Sequence, residues 1–175
     1  MLGGLTNLEV VKIGKMSNIV IDGWEPASGT FSITNCPNLR QLTIGWGRFL
    51  ETQSFELSNV NSLQSIQFGG YCFTKVNEFI LDGLISLESV KIGGNCFGVP
   101  FGDVRFDGIL RITNCPNLRQ LEIGDDSFRY FESFELSNLD SLQSIYSGGW
   151  FFSNKEFSLK GKWKERKKER KKERI

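Results

Sequence analysis

A ten-residue pattern recurs along this chain and constrains its fold more than any other feature. The segment Leu5-Thr-Asn-Leu-Glu-Val-Val-Lys-Ile-Gly14 returns five times, with Val, Ile or Phe accepted at the later apolar positions and one exception, Ser147. The leading leucines are spaced by 31, 24, 24, 31 and 24 residues: Leu8, Leu39, Leu63, Leu87, Leu118 and Leu142. The chain therefore also repeats at 79 residues, which indicates that a block of three repeats was duplicated.

A second apolar track lies between successive copies of this pattern. It alternates apolar with other residues, which is the period of a strand and not of a helix. Its members are Phe31-Ser-Ile33, Phe55-Glu-Leu57, Phe79-Ile-Leu81, Leu110-Arg-Ile112, Phe134-Glu-Leu136 and Phe157-Ser-Leu159. A further aromatic position recurs between the tracks, at Phe49, Phe73, Phe97, Phe128 and Phe152.

These patterns predict a stack of short repeats. One repeat of 24 residues cannot bury its apolar side chains alone, so neighbouring repeats must cover one another. The LxL segments would then form a parallel sheet, with about 4.8 Å between repeats and roughly 29 Å for six of them. The glycine after each LxL segment is expected to let the chain turn sharply: Gly14, Gly45, Gly69, Gly93, Gly124 and Gly148.

The pattern LxxLxLxxN is the signature of leucine-rich repeat proteins, and residues 87–95, LESVKIGGN, match it in full. Over about residues 2–159 the chain resembles this family, and its Gly-x-x-Cys-Phe segments resemble BspA-like and protist repeats. The other repeats depart from the signature at the asparagine position, with Met16, Gly47, Tyr71, Asp126 and Trp150. The resemblance implies a right-handed repeat solenoid whose parallel β-sheet lies on the concave side and binds proteins. The F-x-L tracks predict strands and turns, not helices, on the convex side.

The concave sheet is the expected binding surface. In each LxxLxL segment, the residue between the last two apolar positions should point outward: Lys12, Thr43, Gln67, Lys91, Glu122 and Tyr146. The row two residues earlier is Val10, Gln41, Ser65, Ser89, Gln120 and Ser144. Large aromatic anchors are few: Tyr146 in the first row, with Trp46, Tyr71 and Trp150 at the sheet edge. The expected function is protein binding, and the alternative is a structural spacer or truncated fragment of a longer array with no ligand of its own.

No pattern of catalytic residues is present. The chain has no histidine, which removes the commonest general base and every zinc site that uses imidazole. It also lacks the P-loop, HExxH and GxSxG motifs. We therefore expect no enzymatic activity and no cofactor.

The four cysteines occupy two sets of equivalent positions. Cys36 and Cys115 lie three repeats apart, or roughly 15 Å, beyond the reach of a disulfide. Cys72 and Cys96 lie in adjacent repeats, about 5 Å apart. They either form a disulfide or stack as buried thiols, and the second arrangement is favoured over a disulfide or a metal site.

The sequence divides into a repeat array, residues 1–160, and a basic low-complexity tail, residues 161–175, which is expected to be disordered. The formal net charge of +1 is the sum of +6 in the tail and −5 in the array. Nucleic acid is a candidate partner only through this tail, and the favoured alternative is a non-functional end of the array. Two insertions, Ile21–Gly29 and Gly98–Asp103, would form loops, either for binding or from drift after duplication.

The chain shows no membrane-spanning segment and no signal peptide. Its localisation is unknown, with a cytoplasmic location as the default for a complete chain. Because no polar cap is recognisable at either end of the array, a fragment of a longer protein is also expected.

Overall fold

The structure is a computed structural model, and it describes residues 2–14, 29–98, 108–149 and 156–160. Within these ranges it is made of parallel β-strands and contains no helix. Six strands form one sheet: β2 (Val10–Ile13), β4 (Gln41–Ile44), β6 (Ser65–Phe68), β8 (Ser89–Ile92), β10 (Gln120–Ile123) and β12 (Ser144–Ser147).

The remaining strands form two smaller sheets. A three-stranded sheet contains β1 (Leu2–Gly3), β3 (Thr30–Thr34) and β5 (Ser54–Ser58). A four-stranded sheet contains β7 (Glu78–Asp82), β9 (Gly108–Thr113), β11 (Phe131–Ser137) and β13 (Glu156–Lys160). The chain alternates between the six-stranded sheet and these two, so each pair of strands is one repeat. Repeat 1 is β1–β2 and repeat 6 is β11–β12. Both apolar tracks of the sequence are therefore strands, in a repeat-like parallel-sheet fold.

The core lies between the six-stranded sheet and the two smaller sheets. The leucines that begin the pattern point into it, and Leu39, Leu63, Leu87 and Leu118 are fully buried. Alternate residues of the six-stranded sheet face the same core: Leu42, Ile66, Val90 and Leu121. Each of these apolar positions packs against its equivalent in the next repeat, which is how a short repeat buries its apolar area.

A column of stacked phenylalanine rings runs through the core. Phe49, Phe73, Phe97 and Phe128 stack in order, with centroids 5.2, 5.4 and 4.8 Å apart and ring planes within 18° of parallel. All four adopt a left-handed backbone conformation, with φ between 53° and 57°. This conformation is costly for a bulky residue, so the packing of the column must offset it. Phe152, the fifth position of the pattern, lies outside the described residues.

Four of the glycines that follow LxL segments lie against the backbone of the preceding repeat: Gly69, Gly93, Gly124 and Gly148. Positive φ occurs at Gly4, Gly47 and Gly83 and not at the described glycines of this column, which are followed directly by bends or turns wherever the next residue is described. At Gly93 a Cβ would lie 2.6 Å from the backbone carbon of Gly69, and at Gly124 it would lie 2.5 Å from the backbone nitrogen of Gly94. The backbones of successive repeats come so close here that no side chain fits between them.

Several sequence predictions fall on residues outside the described ranges. They are the two insertions, apart from Gly29 and Gly98, the basic tail, and the side chains of Met16 and Trp150. Among the described residues, no helix has the length and apolar character needed to span a bilayer.

Candidate binding surface

The solvent face of the six-stranded sheet carries the two predicted rows of side chains in register. Along the first row, Lys12 pairs with Thr43, Gln67 with Lys91, and the series continues through neighbouring strands to Tyr146. In the second row Gln41 lies beside Val10 and Ser65, and Gln120 lies beside Ser89 and Ser144. The register brings all eight candidate residues onto one face: Lys12, Thr43, Gln67, Lys91, Glu122, Tyr146, Gln41 and Gln120.

An open depression of about 270 Å³ lies on this face across β6, β8 and β10. Its side chains are mainly polar: Ser65, Gln67, Ser89, Lys91, Gln120 and Glu122. Lys91 Nζ lies 2.8 Å from a carboxylate oxygen of Glu122, and the two side chains keep 60% and 43% of their surface exposed. An ion pair this exposed stabilises the fold by less than about 1 kcal/mol. Either charge is therefore free to exchange its partner for one on a bound molecule.

Exposed aromatic side chains lie at the end of the first row and at the edge of the sheet where its strands end. The rings of Trp46 and Tyr71, which follow β4 and β6, lie 5.0 Å apart at a 55° tilt. They are 48% and 41% exposed, and Tyr146 at the end of the first row is 64% exposed. The sequence prediction placed these three side chains at the sheet and its edge, where the structure has them.

The turns after the sheet strands are held by a hydrogen-bonded ladder that the sequence interpretation missed. Its side chains are Cys72, Cys96 and Ser127, which occupy equivalent positions in repeats 3 to 5. Each donates to the carbonyl of the glycine that follows the preceding repeat's sheet strand, over 3.1, 3.1 and 2.7 Å. The sulfur of Cys96 and the hydroxyl of Ser127 also accept the N–H of the residue one repeat earlier, at 3.4 and 3.0 Å. Arg48 extends the ladder to repeat 2, because its Nε donates to the carbonyl of Gly14 at 2.7 Å.

This ladder joins the turns of successive repeats. At the asparagine position itself, Gly47, Tyr71, Asn95 and Asp126 have φ between 56° and 69°. Their backbone N–H groups donate to carbonyls of the next repeat, so the side chain at this position is not needed to join the turns. The sequence signal was the recurrence of a small polarisable or polar residue one position later.

All four cysteines are buried as free thiols, which confirms the stacked-thiol interpretation of Cys72 and Cys96 over a disulfide. The hydrogen bond with Cys72 and burial raise the pKa of the Cys96 thiol far above its ordinary value. Burial raises the pKa of Cys115 to about 11. Within the part of the chain that the structure describes, no group of His, Cys, Asp or Glu side chains is arranged to hold a metal ion.

The sequence matches no protein-family model, and neither a curated protein nor a solved structure matches it.

Proposed function

We propose that this chain is a non-enzymatic binding module of the leucine-rich repeat type. In this proposal the strands form a right-handed solenoid, and the solvent face of the six-stranded sheet is its concave side. A protein partner would contact the rows from Lys12 to Tyr146 and from Gln41 to Gln120. The observation that carries the proposal is the register of these rows, which makes one continuous polar surface from six separate repeats.

The central depression is the best candidate for the principal contact. It offers both charges of the Lys91–Glu122 pair together with the amides of Gln67 and Gln120. Such a set of donors and acceptors suits the polar side chains or the backbone of a bound protein. Tyr146 supplies an aromatic side chain beside Glu122, and tyrosine is among the residues that contribute most to protein interfaces.

A spacer with no ligand of its own is the second candidate function. The observation that favours it is the scarcity of large anchors, since Tyr146 is the one aromatic residue among the six positions of the first row. Energetic hot spots in protein interfaces are enriched in Trp, Tyr and Arg. A surface with so few of them suits contact with solvent as well as contact with a partner.

In the experiment, candidate partners are captured, and each one is purified. Each purified partner is then titrated separately against three forms of the chain. The Lys91→Glu, Tyr146→Ala double variant alters the proposed surface. The Glu78→Lys variant is the matched control, because Glu78 is exposed on β7 in the four-stranded sheet. We expect the double variant to lose binding at least tenfold, or about 1.4 kcal/mol, while the control binds as the wild type does. Equal binding by all three forms, or no partner that binds when purified, would favour the spacer.

A further inference from the structure

The three-stranded and four-stranded sheets meet without joining. Strands β5 and β7 belong to consecutive repeats, and β3 pairs with β5 and β7 with β9 in continuous register. Within the described residues, no ladder of hydrogen bonds pairs β5 with β7. We call this junction, between Ser54–Ser58 and Glu78–Asp82, the seam.

The side-chain ladder next to these strands stops at the same place. After each strand of this side, one residue has positive φ: Gly4, Asn35, Asn59, Gly83, Asn114 and Asn138. The Nδ2 of Asn59 donates to Asn35 at 2.8 Å, and that of Asn138 donates to Asn114 at 2.7 Å. Gly83 has no side-chain amide to donate to Asn59, so the ladder of side-chain hydrogen bonds does not cross the seam.

A line of backbone hydrogen bonds is interrupted there as well. The N–H groups of Asn35, Gly83 and Asn114 donate to the last strand residue of the next repeat, at 3.0, 3.1 and 3.2 Å. Among the described residues, the N–H of Asn59 makes no such bond across the seam. Strand pairing and this backbone hydrogen bond are therefore both missing at the seam. The asparagine ladder is missing there too, as it is at the paired β1–β3 and β7–β9 junctions, where Gly4 and Gly83 have no side chain.

The core is partly open at the seam. Leu57 belongs to a column of inward-facing residues that includes Ile33, Leu81, Ile112 and Leu136. The other four are at most 1% exposed, whereas Leu57 is only partly buried. Solvent thus reaches an apolar side chain at the position where the strands separate.

The opposite side of the same junction is closed. Strands β6 and β8 pair in full register, and the rings of Phe73 and Phe97 stack at 5.4 Å. The seam also coincides with the boundary between the duplicated blocks, because β1, β3 and β5 belong to the first block and β7, β9 and β11 to the second. The joint between the blocks keeps its ladder of strand hydrogen bonds at the six-stranded sheet and has none on the other side, where the buried rings of Phe55 and Phe79 still lie 5.4 Å apart.

We propose that the seam is a built-in point of local opening, at which the two three-repeat blocks hinge about the six-stranded sheet. Opening there exposes Leu57 and the facing edges of β5 and β7 while β6 and β8 remain paired. The depression on the solvent face is lined by Ser65 and Gln67 from one block and by Lys91 from the other, so the hinge sets its width. This inference does not depend on whether that face binds a partner.

Amide hydrogen exchange of the whole chain, followed by mass spectrometry or NMR, tests the proposal. Strands β3 and β9 have a paired neighbour on both sides, whereas β5 and β7 have one each. We expect amides of β5 and β7 to exchange roughly tenfold faster than those of β3 and β9. Equal protection of all four strands would overturn the proposal.

The Gly83→Asn variant should close the seam. A Cβ at Gly83 meets no atom within 4 Å, and asparagine already occupies four equivalent positions with the same backbone conformation. We expect the new amide to donate to Asn59 and to slow exchange in β5 and β7 roughly tenfold. The Gly83→Ala variant is the matched control, since it adds a side chain without an amide and should leave exchange there fast. If both variants exchange as the wild type does, the interrupted ladder is not the cause of opening.

Discussion

The sulfur of Cys96 accepts the backbone N–H of Cys72 at 3.4 Å and donates to the carbonyl of Gly69 at 3.1 Å. Both partners belong to the preceding repeat. Ser127 stands in the same relation to Cys96 and Gly93, at 3.0 and 2.7 Å. One buried side chain in each of these repeats therefore satisfies two backbone groups of the repeat before it.

Removing the hydroxyl of Ser127 should destabilise the array. The Ser127→Ala variant leaves the buried N–H of Cys96 and the partly buried carbonyl of Gly93 without their partner, at a cost of about 1–3 kcal/mol. Ser127→Cys is the matched control, because a cysteine makes the same two contacts in the preceding repeat. Its loss of stability should be clearly smaller. Urea unfolding followed by circular dichroism measures both. An unchanged midpoint for Ser127→Ala would contradict the ladder's importance for stability.

The glycine column predicts opposite results for the same substitution at two equivalent positions. In Gly124→Ala the new Cβ would lie 2.5 Å from backbone atoms of the preceding repeat, and backbone cannot move away as a flexible side chain can. We expect a loss of about 1–3 kcal/mol. At Gly14 a Cβ meets nothing within 4 Å, so Gly14→Ala should change stability by less than about 0.5 kcal/mol. Equal thermal midpoints for the two variants would disprove the close-approach argument.

Asp82 should make the stability of the fold depend measurably on pH. Hydrogen bonds from Thr113 and Asn114, at 2.7 and 2.8 Å, hold the pKa of this carboxyl below its ordinary value of 3.8. The stabilisation is complete above the pKa of the unfolded chain and is lost as pH falls through the lower pKa of the folded protein.

The Asp82→Asn variant, which does not titrate, should be less stable than the wild type near neutral pH and equal to it in strong acid. In Thr113→Val one of the two donors is missing, so the pH-dependent part of the stability should shrink. Urea unfolding between pH 2 and pH 7, a window that includes the ordinary pKa of aspartate, follows both variants. A constant difference between wild type and Asp82→Asn across this range would count against the hydrogen bonds as its source.

The cysteines should be inert in the folded protein. All four are buried, which keeps a reagent away even from Cys72, whose pKa is lowered by its hydrogen bond with Cys96. At pH 8 almost all of Cys115 is protonated because burial raises its pKa to about 11. Since the thiolate is the reactive form, a chromogenic thiol reagent should react slowly with the native chain. After denaturation it should react with four thiols. Two thiols in the denatured, unreduced chain would instead indicate a disulfide between Cys72 and Cys96.

The repeat period was sufficient to predict the strands and their register. The spacing of Leu8 to Leu142 sets which residues are equivalent, and stacking then places Gln67 beside Lys91 and Lys91 beside Glu122. The alternation within each LxL and F-x-L segment identifies the buried side. These are consequences of periodicity alone, so they needed no knowledge of the distance between particular atoms.

Other features depend on such distances and could not be predicted in the same way. A glycine that permits a turn and a glycine that admits a neighbouring backbone are the same letter, and the close approach at Gly93 was not predicted. The left-handed backbone of Phe73 and Phe97 contradicts the usual preference of a bulky residue, so the sequence favours the opposite expectation. The missing side-chain amide at Gly83 interrupts the asparagine ladder, which is informative only when the ladder on both sides is known.

The ladder of Cys72, Cys96 and Ser127 makes dependence between repeats directional. A repeat with such a side chain satisfies groups in its predecessor, and its own groups are satisfied by its successor. Replacing one of these side chains should therefore harm the preceding repeat first, at a position about 24–31 residues earlier in the sequence. The loss of local stability in such a variant would thus appear one repeat before the substituted residue, and compensating substitutions should be sought in that earlier repeat.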